Sequence, residues 1–563
     1  MTKIYDIADG YVDQLAALDP NVATAWGVAG YDDKMTDYSP DGFAAIADLD
    51  RRTLRLLTEA PVEGDRDRIA RDVVTERLGV RLDSYDSGEY YRSLRTIGSP
   101  LGGLRSVFDQ MPRATESDWE NIASRLRLLP ESLANYRRTL EAGRAAGKMS
   151  SQRLARECAK QAETWSGLTA GTPSFFSGIV DSYDASGIAS DAMRADIDRS
   201  AAGASDAYAS MRTYLLDTYL PSAPERDAAG RERYEIASRA SNGAVLDLDE
   251  TYAWGWEELY RVERELASTA ASIKPGASVI EARQLLETDP ARTLESVDAF
   301  RGWLQEVHDR AIDELDGAHF EIDPKIKRVE VMIPPAGGAL APYYSGPSED
   351  FARPGRTWWP IGTRTRFPMW REVSTAYHEG VPGHHLQVGA VKCLGQELSR
   401  YQRTAAFISG HGEGWALYAE RLMGELGYLE NPDYYLGMLS AQAMRCVRVI
   451  IDIGMHLEKQ IPQTERFHPG ETWNHDLALE FAVERSLWPA EFMASEVVRY
   501  LGWPSQAISY KVGERAWMAA RDSAKQRLGA AFDLKRFHTT ALNLGPMGLA
   551  QLDREIAAAT SGA

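Results

Sequence analysis

Cysteine is nearly absent from this chain: Cys158, Cys393 and Cys446 are the only three among 563 residues. A trio that is odd and widely spaced offers no disulfide framework and no CxxC pair, which points to a reducing compartment. Long apolar runs are missing as well. Nowhere do about 18 apolar residues follow one another, so no ordinary membrane-spanning helix is expected. The opening stretch, MTKIYDIADGYVDQLAALDP, carries acids and no continuous apolar segment, unlike a signal peptide. Positive charge is in deficit, with 63 Lys and Arg against 82 Asp and Glu and a formal net charge of −19. That balance disfavours nucleic acid and anionic membrane surfaces as partners, because both would repel it. The expectation is a soluble, cytoplasmic protein of undetermined oligomeric state.

Core material is plentiful. Hydrophobic residues make up 44% of the chain, and 14 Trp, 14 Phe and 25 Tyr exclude a disordered acidic protein. Helical periodicity dominates: within DWENIASRLRLLPESLANYRRTLEAGRAAG, Ile122, Leu126, Leu129 and Leu133 recur at steps of three and four. Similar stripes run through SDAYASMRTYLLDTYL, YAWGWEELYRVERELASTAASI and AFRGWLQEVHDRAIDEL, with Pro- and Gly-bearing loops at GTPSFFSG and YLPSAPERDAAG. Near residue 326 the texture changes. IKRVEVMIPPAGGALAPYYSGPSEDFARPGRTWWPIG alternates and then fills with Pro and Gly, which predicts a small sheet or hairpin over residues 326–362. Helical patterns resume near residue 371. The expected fold is mostly α, a large multi-helix body with a central cleft and this small β region. A helical scaffold lobe over residues 1–320 and a site-bearing lobe over residues 321–563 would form it.

Four of the ten histidines, His378, His384, His385 and His411, fall within residues 378–411. AYHEGVPGHHLQ opens like the zinc signature H-E-x-x-H, yet the position four beyond His378 is Pro382, which cannot bind a metal. In a regular helix a residue seven positions on lies about 10 Å along the axis, too far to share an ion. Pro382 withholds an N–H and Gly383 tolerates unusual dihedrals, so the helix should break there. A break of about two residues would bring His384 or His385 to the second-ligand position, and spacing does not choose between them.

A catalytic zinc takes three protein ligands and keeps one position open. SGHGEGWALYAERLMGELG supplies Glu413 as a third ligand from another helix, with Glu420 seven residues on and His411 just before. The competing explanation is a helix N-terminus that favours acids through its dipole. Zn2+ suits a His/His/Glu set best. In MLSAQAMRCVRVIIDIGMHLE, Arg445, Arg448, Asp452 and His456 share one helix face. They form either an internal Arg–Asp network or a clamp for a substrate carboxylate beside the zinc, with His456 best placed to reach the site. GGALAPYYSGPSED could lay an extended strand beside a peptide, with Tyr343 and Tyr344 lining the cleft or packing a surface loop.

At these residues the chain closely resembles a bacterial metallopeptidase-like family known as domain of unknown function 885. The family's hallmark H-E-x-x-P-G-H-H-L-Q is matched by His378 through Gln387, and the likeness extends to DPNVATAWGVAGYDDKMTDYSP, EGWALYAERL, AMRCVRVIIDIGMH and WPSQAISYKVG. That family is distantly similar to the helical gluzincin peptidases, which include thimet-type oligopeptidases, the angiotensin-converting enzyme group and Taq-type carboxypeptidases. Their H-E-x-G-H motif aligns with HEGVPGH when two residues are inserted, a departure that favours His384. The resemblance implies a metallopeptidase-like fold, His378, His384 and Glu413 as zinc ligands, and Glu379 as general base. It also implies Tyr510, in QAISYKVGERAW, as a donor to the oxyanion. We therefore expect Glu379, Tyr510 and His456 at the chemistry, and His385, Arg445, Arg448 and Tyr344 around the substrate.

The activity this implies is zinc-dependent hydrolysis of short peptides. An amidase or carboxypeptidase-like hydrolase of one small metabolite amide would use the same chemistry. A helical scaffold with a non-catalytic metal is the third possibility, against which the presence of Glu379 argues.

Overall fold

Side-chain caps mark where the helices begin. Thr115 and Asp118 form a reciprocal capping box ahead of helix Glu116–Ala145, and Ser278 with Glu281 does the same for Val279–Thr288. The computed structural model describes residues 2–334, 341–348 and 350–561. It is mostly helical with two small sheets, the fold class expected. Among the described residues, no helix is long and apolar enough to cross a membrane.

The chain divides into two units, Met1–Ile236 with Ser495–Pro504, and Ala237–Ala494 with Ser505–Ala563. The expected boundary at residue 320 lies inside the second. In the first unit, the stripe Ile122, Leu126, Leu129 and Leu133 is buried in the core of a helical bundle. The fully buried Arg125 on the same helix donates to the carbonyls of Lys34, Pro20 and Tyr31 at 2.9–3.2 Å. One guanidinium thereby organises the irregular segment that follows Trp26, supplying acceptors' partners that a loop buried without them would lack.

The second unit carries the histidine cluster. Its principal helices are α1 (Leu248–Ile273), α2 (Val297–Leu315), α3 (Glu372–Glu379), α4 (His384–Cys393), α5 (Ser409–Glu425), α6 (Pro432–Leu457), α7 (Ser509–Leu528) and α8 (Leu534–Asn543). The strands are β1 (Thr293–Leu294), β2 (Val329–Met332), β3 (Tyr343–Ser345), β4 (Gly355–Trp358) and β5 (Phe367–Pro368). β1 pairs antiparallel with β5. β4 is central in the other sheet, parallel to β2 and antiparallel to β3. The change of texture near residue 326 thus marks a real sheet. Tyr343 and Tyr344 belong to its edge strand β3, whereas Gly337–Leu340 and Glu349 of the segment expected beside a peptide lie outside the described residues.

Glycines set the closest helix crossing. A Cβ on Gly414 of α5 would lie 2.4 Å from the backbone of Gly513 of α7, and one on Gly513 would lie 2.0 Å from the carbonyl oxygen of Gly410. Backbone therefore rests on backbone where α5 and α7 meet. The hydroxyls of Ser409 and Ser509, 2.7 Å apart, tie the two helix starts together.

Buried histidines make this unit acid-sensitive, two of them most strongly. His308 on α2 contacts Thr357 Oγ1 at 3.1 Å, and His538 on α8 contacts the Tyr418 hydroxyl at 2.7 Å. Burial pushes both imidazoles down to about 3. A histidine neutral when folded but near pKa 6.5 when unfolded contributes stability that is complete above pH 6.5 and is lost as pH falls. Denaturant melts of metal-free protein should therefore show a loss of up to about 2 kcal/mol per histidine between pH 7.5 and pH 5. A midpoint that stays flat over that interval would contradict the assignment.

Candidate metal centre

The two residues by which HEGVPGH exceeds the usual motif are absorbed by a break in the helix. α3 ends at Glu379 and α4 begins at His384. Between them the chain folds back, so that Gly383 N–H donates to Tyr377 O at 3.0 Å and His385 N–H to Gly380 O at 3.0 Å. The Pro382 carbonyl accepts from the Trp415 indole N–H of α5 at 2.8 Å, which pins the turn to the neighbouring helix. A Cβ at Gly383 would sit 2.0 Å from the His378 carbonyl oxygen, and one at Gly380 would sit 2.4 Å from His308 Nδ1. Only glycine fits either position.

The turn brings His384, not His385, back to His378. The two rings lie 4.8 Å apart between centroids and nearly perpendicular at 87°. Glu413 Oε2 lies 3.4 Å from His378 Nε2 and 3.4 Å from His384 Nε2. One potential ligand atom from each of the three residues falls within 4.8 Å of the others. Donors about 2.0–2.2 Å from a tetrahedral zinc stand roughly 3.3–3.5 Å apart, so the Glu413 separations match such an ion. Two imidazoles and one carboxylate also suit zinc chemically.

His385 points elsewhere. Its Nε2 lies 2.8 Å from the Ile326 carbonyl and its Nδ1 3.0 Å from the Tyr344 hydroxyl. It therefore carries its proton on Nε2 and accepts from Tyr344. Burial pushes its pKa down to about 4. The pair expected around the substrate, His385 and Tyr344, are bonded to each other and join α4 to the sheet.

Glu420, fully buried, completes the support beneath His378. Its Oε1 accepts from His378 Nδ1 at 2.8 Å, its Oε2 accepts from the Ser374 hydroxyl, and Arg445 Nη2 lies 3.4 Å from Oε1. With Nδ1 bound to a carboxylate, Nε2 of His378 is left facing Glu413 and His384. A carboxylate behind a histidine ligand fixes its tautomer and raises its basicity. Sequence spacing placed Glu420 on the face of Glu413 without assigning its role. Ser374 went unnoticed, although it precedes His378 by one helical turn. Glu420→Gln should weaken zinc binding about 10–100-fold while the fold persists, as read by competition with a chromophoric chelator. Unchanged affinity would leave Glu420 as a purely structural acid.

Opposite charges gather at this cluster. Burial opposes protonation of His378, but Glu413 and Glu420 outweigh it and hold the imidazole up at about 9. Burial likewise opposes ionisation of Glu413, and His378 and His384 reverse this, holding the carboxyl well below its usual range. A divalent ion bound there would replace the proton of His378. Beside them, the carboxyl of Glu379 is shifted up by burial, against the pull of His378 and His384.

The charged face of α6 divides in use. Arg445 joins Glu420, and its guanidinium lies 5.5 Å from the Tyr510 ring centroid, with that of Arg448 at 4.8 Å. The Tyr510 ring is 6.4 Å from that of His378 and nearly parallel to it at 18°, so this tyrosine does stand beside the triad. His456 is three turns beyond Arg445, about 16 Å along the axis. It packs against Asp452 at 3.7 Å, and Asp452 accepts from the Ser505 N–H at 2.9 Å. His411 is buried and receives a bond from the Gln387 amide at 3.2 Å; burial pushes its pKa down to about 4.

None of the curated proteins matches this chain. Solved structures share its fold, among them the following two. The one described as "the putative lipoprotein from Colwellia psychrerythraea" is 21% identical, with TM-score 0.85 over 100% of this chain and 99% of its own. The one described as "a putative lipoprotein of unknown function from Shewanella oneidensis" is 18% identical, with TM-score 0.74 over 99% of this chain and 100% of its own. A family model for bacterial proteins of unknown function, domain of unknown function 885, matches residues 20–556. With nearly its whole length matched, His378–Gln387 included, the chain belongs to that family.

Proposed function

We propose that this protein is a zinc-dependent hydrolase of peptide bonds, acting on short peptides in the manner of the gluzincin peptidases. The observation that carries this reading is the convergence of His378, His384 and Glu413, with the buried Glu379 next in sequence to the first of them. A structural metal would need the three ligands and no adjacent base.

When bound, zinc supplies Lewis acidity, polarising a carbonyl and making a water easier to deprotonate. The remaining work falls to the chain. Glu379 takes the proton from the attacking water and delivers it to the departing amine. Its raised pKa suits both halves of that transfer. Glu420 and Arg445 hold His378 in one tautomer throughout. Tyr510 donates its hydroxyl to the oxyanion of the attacked carbonyl.

Digestion of a mixed peptide library by zinc-loaded protein, with products read by mass spectrometry, tests the proposal. Cleavage that chelation abolishes and zinc restores is the expected result. Zinc binding without cleavage of any peptide, combined with hydrolysis of a small amide, would favour the metabolite amidase instead. Tyr510→Phe keeps the ring beside His378 and removes only the hydroxyl. It should lower kcat about 10²–10³-fold and leave KM nearly unchanged. A change confined to KM would return Tyr510 to packing.

A further inference from the structure

Behind the metal centre, on the other side of the same helices, the second unit contains a cavity of about 500 Å³ that includes none of the three ligands. α1, α5, α6 and α7 line it, and it opens to solvent. Arg421 follows Glu420 and Lys511 follows Tyr510, so each of these two helices turns one residue toward the metal centre and the next toward the cavity.

The lining is charged in both signs. Deep in it, the Lys511 ammonium, only 1% exposed, donates to Glu258 Oε1 and Gln442 Oε1 at 2.7 Å each and pairs with Glu514. Glu514 also accepts from the Gln442 amide at 3.0 Å. Burial would raise the Glu258 carboxyl, but Arg261 and Lys511 outweigh it and hold it down at about 2, so Glu258 stays ionised at neutral pH. Toward solvent, Arg515 stacks its guanidinium 4.8 Å from the Trp254 ring centroid, and Glu425 is bound by Arg521 at 2.7 and 3.1 Å. Met438 and Met518 add apolar wall.

That composition selects its occupant by elimination. An anion meets Glu258, Glu425 and Glu514, and a cation meets Arg261, Arg421, Lys511 and Arg515. A neutral apolar molecule would strip water from these groups and return no hydrogen bonds. These charges are already paired, Arg515 with Glu250 and Arg421 with Glu265 among them. Arg421 Nη2, however, is buried without a hydrogen-bond partner, and a carboxylate accepts more than one bond. A molecule with separated charges of opposite sign and an apolar side chain can therefore bond to both sets, the apolar part lying on Trp254 and the methionines. The volume falls in the range of small-molecule sites, roughly 300–1,000 Å³. We propose that this cavity is a second binding site, separate from the metal centre, for a small zwitterion of the size of an amino acid or dipeptide. The inference stands independently of any hydrolytic activity.

Calorimetric titration of the full chain in EDTA with glycyl-phenylalanine tests it, since chelation removes the ion to which a carboxylate could bind. Saturable binding is expected, at least tenfold weaker for N-acetyl-glycyl-phenylalanine amide, which has neither terminal charge. Met518→Trp, which adds bulk to the apolar wall, should weaken binding tenfold or more, and Glu413→Gln should not. The exposed Arg515→Ala gives the same comparison if Met518→Trp does not fold. Absence of binding to the unaltered chain, equal binding of the uncharged analogue, or loss with Glu413→Gln alone would overturn the proposal.

Discussion

Glu379→Gln is expected to keep its fold and its zinc while turnover falls about 10²–10⁴-fold, the usual contribution of a positioned general base. The amide has nearly the same shape as the carboxylate, so the buried site is not opened. It cannot accept the proton from water. The proposed ligands His378, His384 and Glu413 are untouched, which makes metal content the control. Because the base acts in the transition state, kcat and kcat/KM should fall together with KM little changed. Stopped-time peptide assays and elemental analysis of the same preparation check both halves. A variant that retains zinc and full activity would remove Glu379 from the mechanism.

The second large effect concerns the choice between adjacent histidines. His384→Ala should lose nearly all zinc at stoichiometric metal, because two remaining donors do not make the three-ligand site a catalytic zinc requires. His385→Ala should retain one zinc per chain and instead destabilise the protein by about 1–3 kcal/mol, the cost of leaving buried partners unsatisfied. Those partners are the Ile326 carbonyl and the Tyr344 hydroxyl. Elemental analysis separates the variants by metal, and denaturant melts separate them by stability. Full zinc in His384→Ala with loss in His385→Ala would reverse the assignment.

Much of this site was legible in the sequence because its signals are local. His378 and Glu379 are adjacent, Pro382 and Gly383 forbid a continuous helix, and Glu413 and Glu420 stand seven apart on one helical face. Helical class followed from the periodicity of stripes such as Ile122 to Leu133, and the sheet from the alternation of Val329 to Met332. Local rules act over a few residues, and these features need no more than that.

Long-range contact decided the rest. Whether His384 or His385 turns toward His378 depends on how the chain folds back between Gly380 and Gly383, and Trp415 on a distant helix holds that turn. The role of Glu420 depends on Ser374, His378 and Arg445 arriving from two other helices. Tyr510 stands beside His378 because Gly410, Gly414 and Gly513 let two backbones touch. By itself, then, the sequence determined the helical class, the position of the sheet and the residue types available for a metal centre. The tertiary structure alone decided which of those residues meet and which instead satisfy one another as His385 and Tyr344 do. A side chain's direction at a helix break, and the partner of a buried charge, are settled by packing and desolvation between segments remote in sequence.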